Sequence, residues 1–429
     1  MRAAHSIGPL RTACGDTAAR WSGAASPCPA ITRSRRLKLE RCAHATAERF
    51  WVAILTTVSD PSRRSTYSAP RAAISSSSST KPRPLRGAPS LAQQSKSSNA
   101  VRSRHMPPTK GVSAIICVHS SQRWQAMHEA VRSIRDQTEP VTEIIVVVDH
   151  NPILQARLEA ALPDVKIIPN AEERGLSGAR NTGIANANGA LLLFLDDDAA
   201  LEKDWLRKIS EHFRYGHILG VTSRIVPSWE GARPPWFPDE FLWAIGCTYQ
   251  GMKPGRVRNL IGASMCISRT VFETVGGFHH SLGRAATGLP MGCEETELCI
   301  RAGRAFPDGE FRFDDAPSTA HLVGGERLTL RYFLRRCFAE GSSKAVLAAL
   351  ATSAHALADE RRYALRTLPR GVLRGLGDAL RGDVTGIFRA TAIVSGFTAT
   401  ALGYLTGKHA LRARPSISKL SPLESERAP

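Results

Sequence analysis

The sequence predicts an α/β protein: a mixed, mainly parallel sheet flanked by helices, preceded by a disordered basic tail and followed by a helical extension. Three observations lead there. From Val112 onward, short apolar runs alternate with helix-spaced segments, the pattern of a parallel sheet with crossover helices. One run, LLLFLDDD at 191–198, passes straight into three carboxylates. Composition also changes sharply near residue 110. Residues 1–110 hold 19 Lys/Arg against four acids, or +15, whereas the other 319 hold 38 basic and 34 acidic side chains, or +4.

That split decides how to read the net charge of +19. The basic excess belongs to the tail, so it is no argument that the folded part binds nucleic acid specifically. Residues 1–109 carry SSSSST at 75–80 and KPRPLRGAP at 81–89 and lack apolar periodicity, which predicts disorder. Their Arg- and Ser-rich composition is formally like a transit peptide, but the favoured reading is that translation starts at Met106. The nine cysteines show no CxxC spacing, which favours a reduced, cytoplasmic protein without a disulfide framework.

The ordered part divides into residues 110–345, an α/β domain, and 346–429, a helical basic extension. Val112–Val118 reads as a strand and Trp124–Gln137 as a helix with apolar Met127, Ala130, Val131 and Ile134. Glu143–Val148 is the second strand, ending at Asp149; 154–162 is helical and 165–168 is the third strand. GLSGARNTGIANANG at 175–189 opens a helix whose amino terminus, beside Gly175 and Gly178, suits a phosphate. Arg180 reads either as a phosphate or carboxylate contact or as an ion-pair partner of Asp197.

Leu191–Leu195 is the fourth strand and 199–213 a helix, so the acids stand at a strand's carboxyl end, where α/β sheets bind ligands. Side chains two apart on a strand share a face, so Asp196 and Asp198 could hold a hard divalent cation; alternatively Asp198 caps the helix. Trp229–Trp243 is a Trp- and Pro-rich loop whose rings suit a sugar face or an apolar chain, or simply pack the loop down. Residues 262–278 read as strand, helix and glycine stop, and 311–315 as a strand preceding His321. Glu294 and Glu295 suit either a charged first helical turn or acid–base work. Further on, 368–381 is a basic amphipathic segment. Val384–Gly407 has spanning length but is diluted by Thr, Gly and Arg389, which favours a packed or interfacial helix and a peripheral membrane surface.

VSAIICVHSSQR, VVVDHN, ERGLSGARNTGI, LLLFLDDDA, GASMCISRTVFETVGGF and GCEETELCIR, in this order and spacing, together resemble glycosyltransferase family 2. The resemblance runs from about Val112 to about Ala345. It implies the GT-A fold and inverting transfer of a sugar from a nucleotide donor, a UDP-sugar foremost, to a glycan or lipid-linked acceptor. By the same resemblance Asp149 contacts the nucleobase, although the commoner Asp-Asp pair is Asp149-His150 here. Val118 and His119 line the nucleotide pocket; Gly178, Arg180, Asp196 and Asp197 lie on the donor side. Asp196, Asp198 and His321 hold Mg2+ or Mn2+, with Asp198 the direct ligand. Glu295 takes the general-base position beside Glu294, where the family usually shows Glu-Asp. The processive QxxRW motif is absent, which implies single-sugar transfer. Two other readings stand beside this one: a non-catalytic nucleotide-sugar-binding relative, and a nucleic-acid-binding protein acting through the tail.

Overall fold

A computed structural model describes residues 109–280, 282, 292–350 and 358–413. The expected disordered tail and Met106 start lie outside the described residues. The first half alternates as read: β1 (Thr109–Val118), α1 (Trp124–Arg135), β2 (Glu143–Val148), α2 (Pro152–Ala161), β3 (Lys166–Pro169), α3 (Leu176–Asn186) and β4 (Gly189–Asp196). Local chemistry explains the start of α2. Asn151 accepts a hydrogen bond from the Leu154 amide at 3.1 Å, with Pro152 in the first turn of α2.

β3, β2, β1 and β4 lie side by side in parallel. Alternate side chains of one strand serve opposite faces. Thus Ile116 joins a core with Met127, Val131 and Ile134 of α1, while Ile115 joins another with Ala179 of α3 and Phe194. Leu192, Leu193 and Phe194 are all fully buried, worth about 1.5–3 kcal/mol each. This double cover is why β4 is a continuous apolar run rather than an alternating one.

Beyond β4 the sheet turns mixed. β8 (Ser264–Ser268) runs antiparallel to β4 and to β6 (Ile218–Trp229); β6 then pairs in parallel with β9 (Glu310–Val323). The short strands β5 (Ala199–Leu201) and β7 (Gly255–Val257) both pair antiparallel with β9.

Two expectations change here. Residues 199–213 are not one helix: β5 takes the first three, and α4 covers only Trp205–His212. Pairing with β9 outweighs local helix propensity, and Asp198 therefore caps no helix. Likewise β9 extends well past 311–315, so His321 lies within a strand instead of after it.

α5 (Arg269–Val275) and α6 (Glu294–Ala305) cover the face that holds Phe194. The helical tail starts at α7 (Leu330–Leu350), earlier than expected, and continues as α8 (Ala358–Arg362), a wide turn at Tyr363–Thr367, α9 (Leu368–Leu380) and α10 (Thr385–Ala413). Gly403 of α10 faces the Phe338 backbone of α7, where a β-carbon would clash. α10 leaves Ile387, Phe388, Val394, Leu402 and Leu405 exposed. No described helix is long and apolar enough to cross a membrane.

Candidate active site

The site grows from the carboxyl end of β4. Asp196 closes the strand, its amide donating to the Ala263 carbonyl at 3.1 Å. The chain then passes through buried Asp197 and Asp198 into β5. Register does the next step: Ala199 faces His321 across β5 and β9, and the Leu322 amide donates to the Asp198 carbonyl at 2.8 Å. His321 Nε2 consequently stands 3.0 Å from Asp198 Oδ1. Gly246, at φ +82°, makes room for that ring; a β-carbon there would lie 2.8 Å from His321 Cε1.

Two arginines close on the acids. Arg327 Nη2 lies 2.9 Å from Asp198 Oδ2, and Arg123 Nη1 lies 2.9 Å from the same oxygen and 2.7 Å from Asp197 Oδ1. Burial opposes ionisation of Asp198, but His321, Arg327 and Arg123 outweigh it and hold its carboxyl well below the usual range. Neither arginine was marked in the sequence. The available signal was position: each is a basic residue in a loop that follows a strand ending on this edge.

Asp196, Asp198 and His321 form a group that could hold a metal ion, with ligand atoms all within 4.8 Å of one another. Buried Asp198 Oδ1 faces the His321 imidazole nitrogen at 3.0 Å, so a carboxylate oxygen and a ring nitrogen already converge on one point. Two carboxylates and one imidazole fit Mg2+ or Mn2+.

Arg180, reaching across from α3, ties this edge to a second acidic pair. Its Nη1 donates to Glu294 Oε1 at 2.8 Å, its Nη2 to the Gly262 carbonyl at 3.0 Å, and it lies 3.5 Å from Asp196 Oδ1. The alternative pairing with Asp197 does not form, because Asp197 is taken by Arg123. Glu294 is buried and opens α6; Cys293 before it adopts a left-handed φ of 73°. Glu295 is half-buried, and its carboxyl is pushed up to about 8, first by burial and then by the charge of Glu294.

Arg180, Asp196, Glu294 and Glu295 line one cavity of about 1040 Å³. Trp243 and Tyr249 share its wall, whereas Trp236 packs on Phe237 and Phe333. The segment therefore packs through Trp236 and turns Trp243 to the cavity.

Val118, His119, Asp149 and Gly178 form a separate group that does not line this cavity. The Asp149 amide donates to the Val118 carbonyl at 2.7 Å, and Asn151 donates to the His119 carbonyl at 3.2 Å. The Asp149 carboxylate accepts from Asn170 at 2.8 Å and from the Gly175 amide at 3.1 Å. A carboxylate therefore already engages the amino-terminal edge of α3, where a phosphate was expected. Gly178 packs against the Glu173 carbonyl, leaving no room for a side chain.

Residues 113–276 match the family model described as Glycosyl transferase family 2. Among curated proteins, a glucosyl-dolichyl phosphate glucuronosyltransferase of Haloferax volcanii is 29% identical over 242 residues, 55% of this chain and 77% of that one. A pre-mycofactocin glycosyltransferase of Mycobacterium tuberculosis is 24% identical over 247 residues, 56% of this chain and 48% of the relative, about half its length. Among solved structures, a mannosyltransferase of Pyrobaculum calidifontis with GDP-Man and Mn2+ aligns at TM-score 0.43 and 16% identity, covering 68% of this chain and 87% of its own.

Proposed function

The chain is a family 2 glycosyltransferase, and on that premise we propose that it moves a single sugar, with inversion, from a nucleotide sugar to a hydroxyl of a glycan or lipid-linked acceptor. One observation carries the reading: Arg180 joins Asp196 and Glu294, so the acidic edge of β4 and the Glu295 carboxylate face one cavity.

In this reading Asp196, Asp198 and His321 hold the divalent ion, and Val118, His119 and Asp149 meet the nucleotide. A bound ion supplies Lewis-acid neutralisation of the diphosphate. Arg123 and Arg327 hold Asp198 in place and ionised. Glu295, as a carboxylate, takes the acceptor's hydroxyl proton. The freed oxygen bonds the anomeric carbon while the bond to the diphosphate oxygen breaks, and the electron pair leaves with the nucleotide. A carboxyl pushed up to about 8 is a stronger base than an ordinary glutamate once deprotonated. A UDP-sugar is the first donor to test. The archaeal relative's name includes a dolichyl phosphate, which supports a lipid-linked acceptor.

The test is a screen of UDP-, GDP- and dTDP-sugars for Mn2+-dependent nucleotide release, beside Asp198→Ala and Glu295→Gln. The reading expects release that needs the ion and is lost in both variants. Metal-dependent donor binding without release, for every donor and with lipid extract present, would establish a non-catalytic relative instead.

A further inference from the structure

The cavity is more basic than a nucleotide-sugar donor requires. Ten Lys/Arg and five Asp/Glu line it. Most of the acids are paired at its floor: Arg180 with Glu294 and Asp196, Arg258 with Glu360, Lys344 with Glu340 and Glu360, and Arg336 with Glu340. Arg256 has a loose contact to Glu310 at 3.7 Å. Lys253, Arg361, Arg362, Arg366 and Arg370 are exposed on the wall, and among the described residues none of the five has an ion-pair partner. A donor diphosphate already has the metal group and Arg180 on its own side. The five unpaired cations are surplus to it.

These cations are held in place by buried contacts. Glu360, next to Arg361, receives both Arg258 nitrogens at 2.7 Å and Lys344 Nζ at 2.8 Å. The Tyr363 hydroxyl donates to the Glu240 carbonyl at 2.6 Å and accepts from Trp243 Nε1 at 3.0 Å. Through the wide turn at Tyr363–Thr367, Arg362, Arg366 and Arg370 recur every fourth residue, which sets them along one face. Guanidinium forks in a row suit phosphate oxygens.

We propose that Arg362, Arg366 and Arg370, with Lys253 and Arg361, form an acceptor subsite for a phosphate or diphosphate group. The proposal rests on the glycosyltransferase reading only in calling the ligand the acceptor. It divides the cavity by charge: donor and ion at the β4 edge, and the acceptor's anion against the wide turn.

The experiment is calorimetric titration of the full chain with inorganic phosphate, geranyl phosphate and geraniol. Chelator is present, so that no divalent ion captures phosphate at the Asp196 edge. The variant is Arg362→Gln/Arg366→Gln/Arg370→Gln, with the matching triple Lys variant as charge-preserving rescue. Phosphate-probe affinity should fall about tenfold or more in the Gln variant, recover in large part in the Lys variant, and weaken with salt. Equal affinity for inorganic and geranyl phosphate marks a water-soluble phosphorylated acceptor; tighter geranyl phosphate marks a lipid-linked one. Geraniol should bind both proteins alike. Unchanged or absent phosphate binding overturns the proposal, as does an equal loss of Mn2+-dependent UDP binding in the Gln variant. UDP binding to the unaltered protein tests the donor reading separately.

Discussion

Arg180 and Glu294 form an ion pair at 2.8 Å, 114 positions apart in sequence, with side chains 3% and 6% exposed. Among the described residues, buried Glu294 Oε2 has no hydrogen-bond partner, so this one contact compensates most of the carboxylate's charge. Removing one partner of a buried pair costs about 3–5 kcal/mol, because the other charge is stranded. Arg180→Ala should lose that much in urea unfolding, and Arg180→Met/Glu294→Leu should regain most of it without regaining transfer. A loss under about 1 kcal/mol would show that solvent reaches the pair.

The pH dependence follows from Glu295. Its carboxyl is raised from 4.5 to about 8, so only the deprotonated form above that point serves as a base. Transfer should therefore rise with pH through about 8 and then level, and Glu295→Gln should abolish it. Stability runs the other way. Between 4.5 and 8 the folded state binds the proton that the unfolded state has released, so this contribution is full below 4.5 and lost as pH rises to 8. Glu295→Gln should flatten that decline in a series of unfolding midpoints.

Metal binding should appear without turnover. An ion that binds only the folded chain stabilises it by about 2.7 kcal/mol at a hundred times its dissociation constant. Mn2+ should raise the thermal midpoint of the unaltered protein and leave Asp198→Asn and His321→Ala nearly unmoved. An equal rise in all three would place the ion elsewhere.

Gly246 allows the same question to be asked through sterics. Alanine there is strained at φ +82° and meets the His321 ring. Gly246→Ala should cost about 1–3 kcal/mol and weaken Mn2+ binding, while Gly231→Ala, with open space around it, should do neither.

The carboxyl edge of the sheet was legible because β1, β2 and β4 are buried on both faces and read as apolar runs. Asp196 and Asp198 stand where one such run ends. The surroundings of Asp198 were not legible. β5 is three residues long, and only its pairing with a strand 120 positions away brings His321 alongside. Arg123 and Arg327 belong to that same long-range geometry. The pairing of Arg180 with Glu294 was missed for a related reason: Asp197 was the nearer acid in sequence, but Arg123 already holds it. The basic wall at Arg362, Arg366 and Arg370 was hidden because its meaning depends on the cavity it faces.

The central claim, direct displacement with Glu295 as the single base, is tested most directly by the stereochemistry of the first product. Proton NMR of the glycoside formed from an α-linked donor should show a β linkage. An α product would require two displacements or front-face attack, and would contradict the account.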